Sequence, residues 1–250
     1  MKIIKNSPCY FPLEDIPGLV DKIWAEILPF KGDEWGVPEN QKSLVALVGQ
    51  TKTTQLYAIE NKATQNVELR KLLSPLLKGS DFDIRLDAMR WVIYDWGHVR
   101  GKRGSEKDWP EKFGNYETSV IESFIQSNNH YRIASWSKAL AFADSSTYAI
   151  YDARVAMSLN SILDKIRHER KFYMPPPSSP DLGRLFTKVK EHVRAQYKFK
   201  KIAYMGYSEY MGLLHAIVQM ELAPNVLEVE MRLFANSDIH AKHYKVRYGL

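Results

Sequence analysis

Apolar residues recur along this chain at the three- and four-residue spacing that lays one stripe down an α-helix. Ile16, Leu19, Val20, Ile23, Trp24, Ile27 and Leu28 form such a stripe, which predicts a helix from about Asp15 to Leu28 ending near Pro29. Leu69, Leu72, Leu73, Leu76 and Leu77 predict another, interrupted or kinked near Pro75 and stopped by Gly79. Ile84 to Val99 carries Leu86, Met89, Val92, Ile93 and Trp96 on one broad face. Ser135 to Phe142 reads as a compact helix, broken by the polar run Asp144-Ser145-Ser146. After Asp152 the helical spacing resumes with Val155, Met157, Leu159, Ile162, Leu163 and Ile166. Strand-like alternation is scarce, although Ser43 to Val48 fits a buried helix or a strand. The pattern therefore predicts an all-α architecture.

Composition narrows the class. A chain of 250 residues with 45% apolar content can bury a sizeable core as one domain or as two packed lobes. No apolar run is long enough to cross a membrane, and the start MKIIKNSPCYFPLED lacks the apolar core of a signal peptide, so a cytoplasmic location is expected. Cys9 is the only cysteine, which excludes an intramolecular disulfide and a four-cysteine iron–sulfur loop. His240 and His243 have helical spacing without an evident third ligand. They read as part of a mobile polar tail, and no metal or other cofactor is expected.

The formal charge of +6 draws attention to two basic clusters. Arg100, Lys102 and Arg103 lie in the glycine-containing stretch Gly97 to Trp109, which reads as an exposed loop and suits a phosphate backbone. It reads equally as a solvated loop, because Glu106, Asp108 and Glu111 follow directly. Downstream of the stiff stretch Pro175 to Pro180, Lys190, Arg194, Lys198 and Lys201 fall on one helical face. That face is either a nucleic-acid contact or the outside of an ordinary amphipathic helix.

The stretch YRIASWSKALAFADSSTYAIYDARVAMSLN, Tyr131 to Asn160, carries the candidate chemistry. From the residues alone, Lys138 is a helix lysine and Asp152 a helix N-cap whose carboxylate accepts backbone N–H bonds. Ser137-Lys138-Ala139 and Tyr151-Asp152-Ala153-Arg154-Val155, with Trp91 to Gly101 upstream, resemble the helix-hairpin-helix DNA glycosylases. The likeness is to the 8-oxoguanine glycosylase branch, and to a compact bacterial subgroup of it associated with antiphage defence loci. It covers roughly the middle third of the chain, with residues 116–170 as the hairpin and aspartate segment, 1–115 before it and a basic helical portion after it.

The resemblance implies a helical fold with two lobes and a cleft, and an N-glycosylase, with or without abasic-site lyase activity, that excises a modified purine from DNA. Lys138 would attack the sugar carbon and Asp152 would assist. An N-glycosidic bond breaks through an oxocarbenium-like state, which a nearby carboxylate stabilises. The amine must be neutral to attack, and its apolar neighbours offer the desolvation this requires. Trp136 and Tyr151, close in sequence to the pair, are candidates to stack on an extruded base, and Arg154 to contact a phosphate or a base edge. Ala134 and Trp136 stand where the family's hairpin has glycines. That departure points to two further readings, a defence enzyme acting on a modified nucleoside or deazaguanine-type conjugate, and a silent module that binds nucleic acid or a defence protein.

Overall fold

Helix α1 (Ile16–Ile27) opens the structure and buries Val20, Ile23 and Ile27, the predicted stripe. The structure is a computed structural model that describes residues 16–29, 41–99, 104, 106–114, 116–128, 131–168, 170–176, 183–185, 187–188 and 205–249. Helices α2 (Gln41–Val48) and α3 (Gln50–Tyr57) follow, so the segment at Ser43 is helical. Helix α4 (Lys62–Lys78) is capped by Asn61, whose side chain accepts from Thr64 N at 2.8 Å. It runs through Pro75, so of the two outcomes expected there, an interruption or a kink, the interruption does not occur. Pro75 lies on an exposed face, where water can serve the carbonyl that proline leaves unpaired.

The stripe at Ile84 to Val99 resolves into two elements. Helix α5 (Phe82–Arg90), capped by Asp81, passes directly into a π-helical turn, Trp91–Trp96, whose widened winding closes with Gly97 N donating to Val92 O at 2.9 Å. That winding puts Trp91, Val92, Ile93, Tyr94 and Trp96 into the core together. The stretch expected to be an exposed loop ends where a short helix, α6 (Trp109–Lys112), begins, and its Glu106 is fully buried. The carboxylate accepts from Gly104 N at 2.8 and 3.0 Å, from Tyr94 Oη at 2.6 Å and from Arg90 Nε at 3.1 Å. Glu106 therefore ties the chain to the π-turn instead of solvating a loop.

Helices α7 (Thr118–Asn128) and α8 (Ile133–Ala143) are joined across residues 129–132, and α9 (Ala153–Lys165) follows after a stretch without regular structure. The last three helices are α10 (Tyr207–Gln219), α11 (Val226–Ala235) and α12 (Ser237–Tyr248). Helix α8 packs against α4 and the π-turn, α9 packs against α11 and α12, and α10 packs against α1 and α11. One hydrophobic core runs through these contacts from Leu19 to Leu233. Among the described residues the regular structure is helical, apart from an isolated parallel bridge between Phe172 and Met205. No described helix is long and apolar enough to cross a membrane.

The expected mobile tail is instead helix α12, docked on α9. Arg247 Nε meets Asp164 Oδ2 at 3.1 Å, and Lys171 Nζ meets Asp164 Oδ1 at 3.8 Å, which places two cations at the C-terminal end of α9. His240 is buried beside His243. Burial first, then that neighbouring ring, lowers its pKa to about 4. Among the described residues no group of three or more His, Cys, Asp or Glu side chains gathers in metal-binding geometry.

Candidate active site

Lys138 lies in the middle of α8, whose other side chains are mostly Ala, Ser, Leu, Trp and Phe and which is buried from Ser135 to Ala143. The helix begins at Ile133, two residues before the predicted start, so the lysine is its sixth residue and not its fourth. A long helical side chain leans toward the N-terminus of its helix. Accordingly Lys138 Nζ donates to Ala134 O, one turn back, at 2.8 Å. The residue is only 4% exposed. Gly97, at the end of the π-turn, lies over its stem. A Cβ built on that glycine would stand 2.7 Å from Lys138 Cδ and 2.8 Å from the carbonyl oxygens of Val92 and Ile93. No larger residue fits there without displacing the lysine or the turn.

Asp152 caps α9 as the sequence predicts. Its Oδ1 accepts from Arg154 N at 2.9 Å and Val155 N at 3.2 Å. Its Oδ2 faces Lys138 Nζ at 3.6 Å, an ion-pair distance too long for a good hydrogen bond. One carboxylate thus closes a helix and faces an amine at once. Burial pulls the Lys138 ammonium below the ordinary lysine value. The Asp152 and Glu230 carboxylates oppose that shift, and the Arg154 cation adds to it. With its side chain 17% exposed, Asp152 is the edge by which the pair meets solvent.

The two functions of Asp152 are separable. Asp152→Asn should keep the cap, since asparagine accepts the same N–H bonds, while Asp152→Ala should be about 1 kcal/mol less stable than Asp152→Asn in chemical denaturation. Both should lower the pH at which Lys138 titrates, because each removes the nearest anion that favours its charged form. Lysine ¹³Cε chemical shifts followed against pH would read this. An unmoved midpoint would mean that the carboxylate does not act on the amine.

The approach to Asp152 is held by residues that the sequence reading did not single out. Residues 148–152 form no helix or strand, so their buried backbone groups need other partners. Tyr207 Oη donates to Ala149 O at 2.8 Å and Tyr210 Oη to Ile150 O at 3.0 Å. Ser137 Oγ accepts from Tyr151 N at 3.0 Å and donates to Tyr151 O at 3.3 Å. Ile150 N donates to Glu230 Oε2 at 2.8 Å. Glu230 is 3% exposed and is clasped by both terminal nitrogens of Arg70, which is 2% exposed. Arg70 Nε donates to Asn66 Oδ1 at 3.0 Å, and the guanidinium lies 5.1 Å from the centre of the Phe142 ring. A sequence signal existed for both charges. Arg70 shares a helical face with Asn66, Leu73 and Leu77, and Glu230 shares one with Val226 and Leu233, so each interrupts an apolar stripe.

Of the three residues expected to contact a base, two are core side chains. Trp136 is fully buried, with its indole N–H on Tyr131 O at 2.8 Å and its ring edge-on to Tyr207 and Phe124. Tyr151 is fully buried and donates to Tyr173 O at 2.5 Å. Neither ring presents a free face for stacking in this conformation, because the packing of α8 and α10 consumes both. Burial raises the Tyr151 phenol well above its ordinary range. Arg154 is half-buried and lies 5.0 Å from the centre of the Phe234 ring. The candidate phosphate contacts Arg100, Lys102, Arg103, Lys190, Arg194, Lys198 and Lys201 lie outside the described residues. The structure thus brings together Lys138, Asp152 and the start of α9, backed by Gly97, Ser137 and Glu230. Compared with models of known protein families, with curated proteins and with solved structures, the chain matches none.

Proposed function

We propose that this chain is an N-glycosylase of the helix-hairpin-helix type that excises a modified purine, such as 8-oxoguanine, from DNA. The observation that carries the reading is the 3.6 Å pairing of a buried, desolvated lysine on one helix with the N-cap carboxylate of the next. Desolvation favours the neutral form that attack on a sugar carbon requires. In this reading the neutral Lys138 amine forms a bond to the anomeric carbon as the glycosidic bond breaks, and the base departs with the bonding pair and takes up the proton that the bonded amine sheds. Asp152 stabilises the developing positive charge, and opening of the sugar ring leaves a Schiff base on Lys138. The Trp136 side chain turns into the core, where its ring packs against Tyr207, and so leaves base recognition to other residues.

A modified nucleoside or base conjugate is the second substrate class, favoured by how little of the pair is open to solvent. A small ligand could enter at the Asp152 edge without a duplex having to approach a covered amine.

Borohydride trapping tests the proposal, because it reduces a Schiff base to a stable amine. Wild-type protein should form a covalent adduct on duplexes carrying 8-oxoguanine or an abasic site, and Lys138→Gln, checked for folding by circular dichroism, should form none. An adduct that survives Lys138→Gln removes the lysine from the role. Absence of any wild-type adduct on DNA, together with base release from free nucleosides, transfers the pair to the second substrate class.

A further inference from the structure

Resting on the reading that Lys138 and Asp152 are the reacting pair, we propose that Glu230 is a positioning residue for that pair. Clasped by Arg70, it holds the Ile150 N–H and so fixes where Asp152 stands against the lysine. Three hydrogen bonds to Glu230 define this role, one from the backbone N–H of Ile150 and two from the guanidinium of Arg70. Only Tyr151 separates Ile150 from Asp152, and Tyr151 is itself held at both backbone groups by Ser137. The segment therefore has no slack in which a shift at Ile150 could dissipate before it reaches the carboxylate.

The contacts close into a circuit. Arg70 lies over Phe142, which shares helix α8 with Lys138, and Arg70 holds Glu230. Glu230 holds Ile150, which leads into Asp152, and Asp152 returns to Lys138. Helix α4, helix α11 and the chain before α9 are thereby referenced to the helix that carries the amine. Stability alone does not account for a charge pair at this place. A buried ion pair is commonly no more stabilising than apolar side chains of the same volume, whereas it fixes geometry through directed bonds.

The charges that act on Lys138 are Asp152 at the start of α9, Glu230 on α11 and Arg154 on α9. Arg70 on α4 neutralises Glu230, and Gly97 on the π-turn side brings no charge. Glu230 favours the charged lysine, so its loss must favour the neutral one.

The test is the ¹³Cε titration of Lys138 in Glu230→Gln, which keeps an oxygen for Ile150 N–H but removes the charge. A second variant, Arg70→Met/Glu230→Gln, avoids leaving Arg70 unpaired and keeps the test available where the single variant does not fold. In Glu230→Gln the Lys138 midpoint should fall by roughly half a pH unit or more. In Arg70→Met/Glu230→Gln an anion and a cation leave together and the direct charge effect largely cancels, but the midpoint should still fall because Asp152 is no longer held against the amine, the pH optimum of trapping falling with it. A midpoint unchanged from wild type in the folded double variant overturns the proposal, since charge alone accounts for a fall in Glu230→Gln and a merely structural pair would then alter melting alone. The titration uses no substrate. A shifted midpoint without trapping on any substrate would therefore refute the glycosylase reading and leave the role of Glu230 standing, and trapping with an unmoved midpoint would do the reverse.

Discussion

Arg70→Met should melt on the order of 10 °C below wild type, an expectation that follows from a loss of about 3–5 kcal/mol in a chain of this size. The side chain removed is 2% exposed, and its partner Glu230 is 3% exposed. Methionine fills most of the arginine's volume, so the cavity left behind is small. The loss comes from Glu230, a carboxylate kept out of water with only the Ile150 N–H for company. Arg70→Met/Glu230→Leu should recover much of the difference, because apolar side chains of similar volume commonly replace a buried ion pair without loss. It should stop short of wild type by about 1–3 kcal/mol, the cost of the unpaired Ile150 N–H. Thermal denaturation of the three proteins decides the matter. A double variant as unstable as the single one would show that the cost lies in packing and not in the orphaned charge.

Gly97→Ala should be harmful although helix propensity favours it. Gly97 has φ −81 and ψ −6, dihedrals that alanine adopts freely, so propensity alone predicts a gain of up to about 1 kcal/mol. The added methyl would instead lie within 2.8 Å of two carbonyl oxygens and of Lys138 Cδ. Overpacking of this kind costs about 1–3 kcal/mol. The contacts with the Val92 and Ile93 carbonyls are relieved only by a shift of the π-turn and the contact with Cδ only by a shift of Lys138, so the lysine moves together with the turn that covers it. A displacement near 1 Å at a reacting group can lower a rate by about 100-fold, and the trapping rate of Gly97→Ala should fall on that order while circular dichroism stays helical. Trapping at the wild-type rate would show that the glycine does not hold the lysine in place.

Local signals in the chain were legible, and long-range ones were not. The helix expected over Asp15 to Leu28 is found at Ile16–Ile27, because seven apolar residues at helical spacing leave little alternative. Asp152 was readable as an N-cap from the break before it and the periodic residues after it. Pro75 predicts an interruption or a kink, since its ring removes a hydrogen bond and crowds the carbonyl four residues back, but the helix continues through it on an exposed face where that carbonyl can meet water. The stripe from Ile84 to Val99 concealed a change of winding, because a π-turn leaves no periodic mark over six residues. Burial of Trp136 and Tyr151 could not be read from their nearness to Lys138, since which way an aromatic ring turns depends on helices distant in sequence, such as α10. The pairing of Arg70 with Glu230 spans 160 residues and follows no short-range rule, though each charge marks itself by sitting within an apolar stripe.

That 160-residue span bears on how portable the centre is. Lys138, Ser137 and Asp152 fit within fifteen or so residues of sequence, which invites treating the stretch as a module to be excised or grafted onto another helical scaffold. Cut out, it would carry the amine and the carboxylate but leave Ala149 O, Ile150 N and Ile150 O without Tyr207, Glu230 and Tyr210. The acid would then sample many positions about the amine. A transplant needs the ends of the chain as well as its middle, and a fragment that stops before α11 lacks the centre even where it holds the residues that compose it.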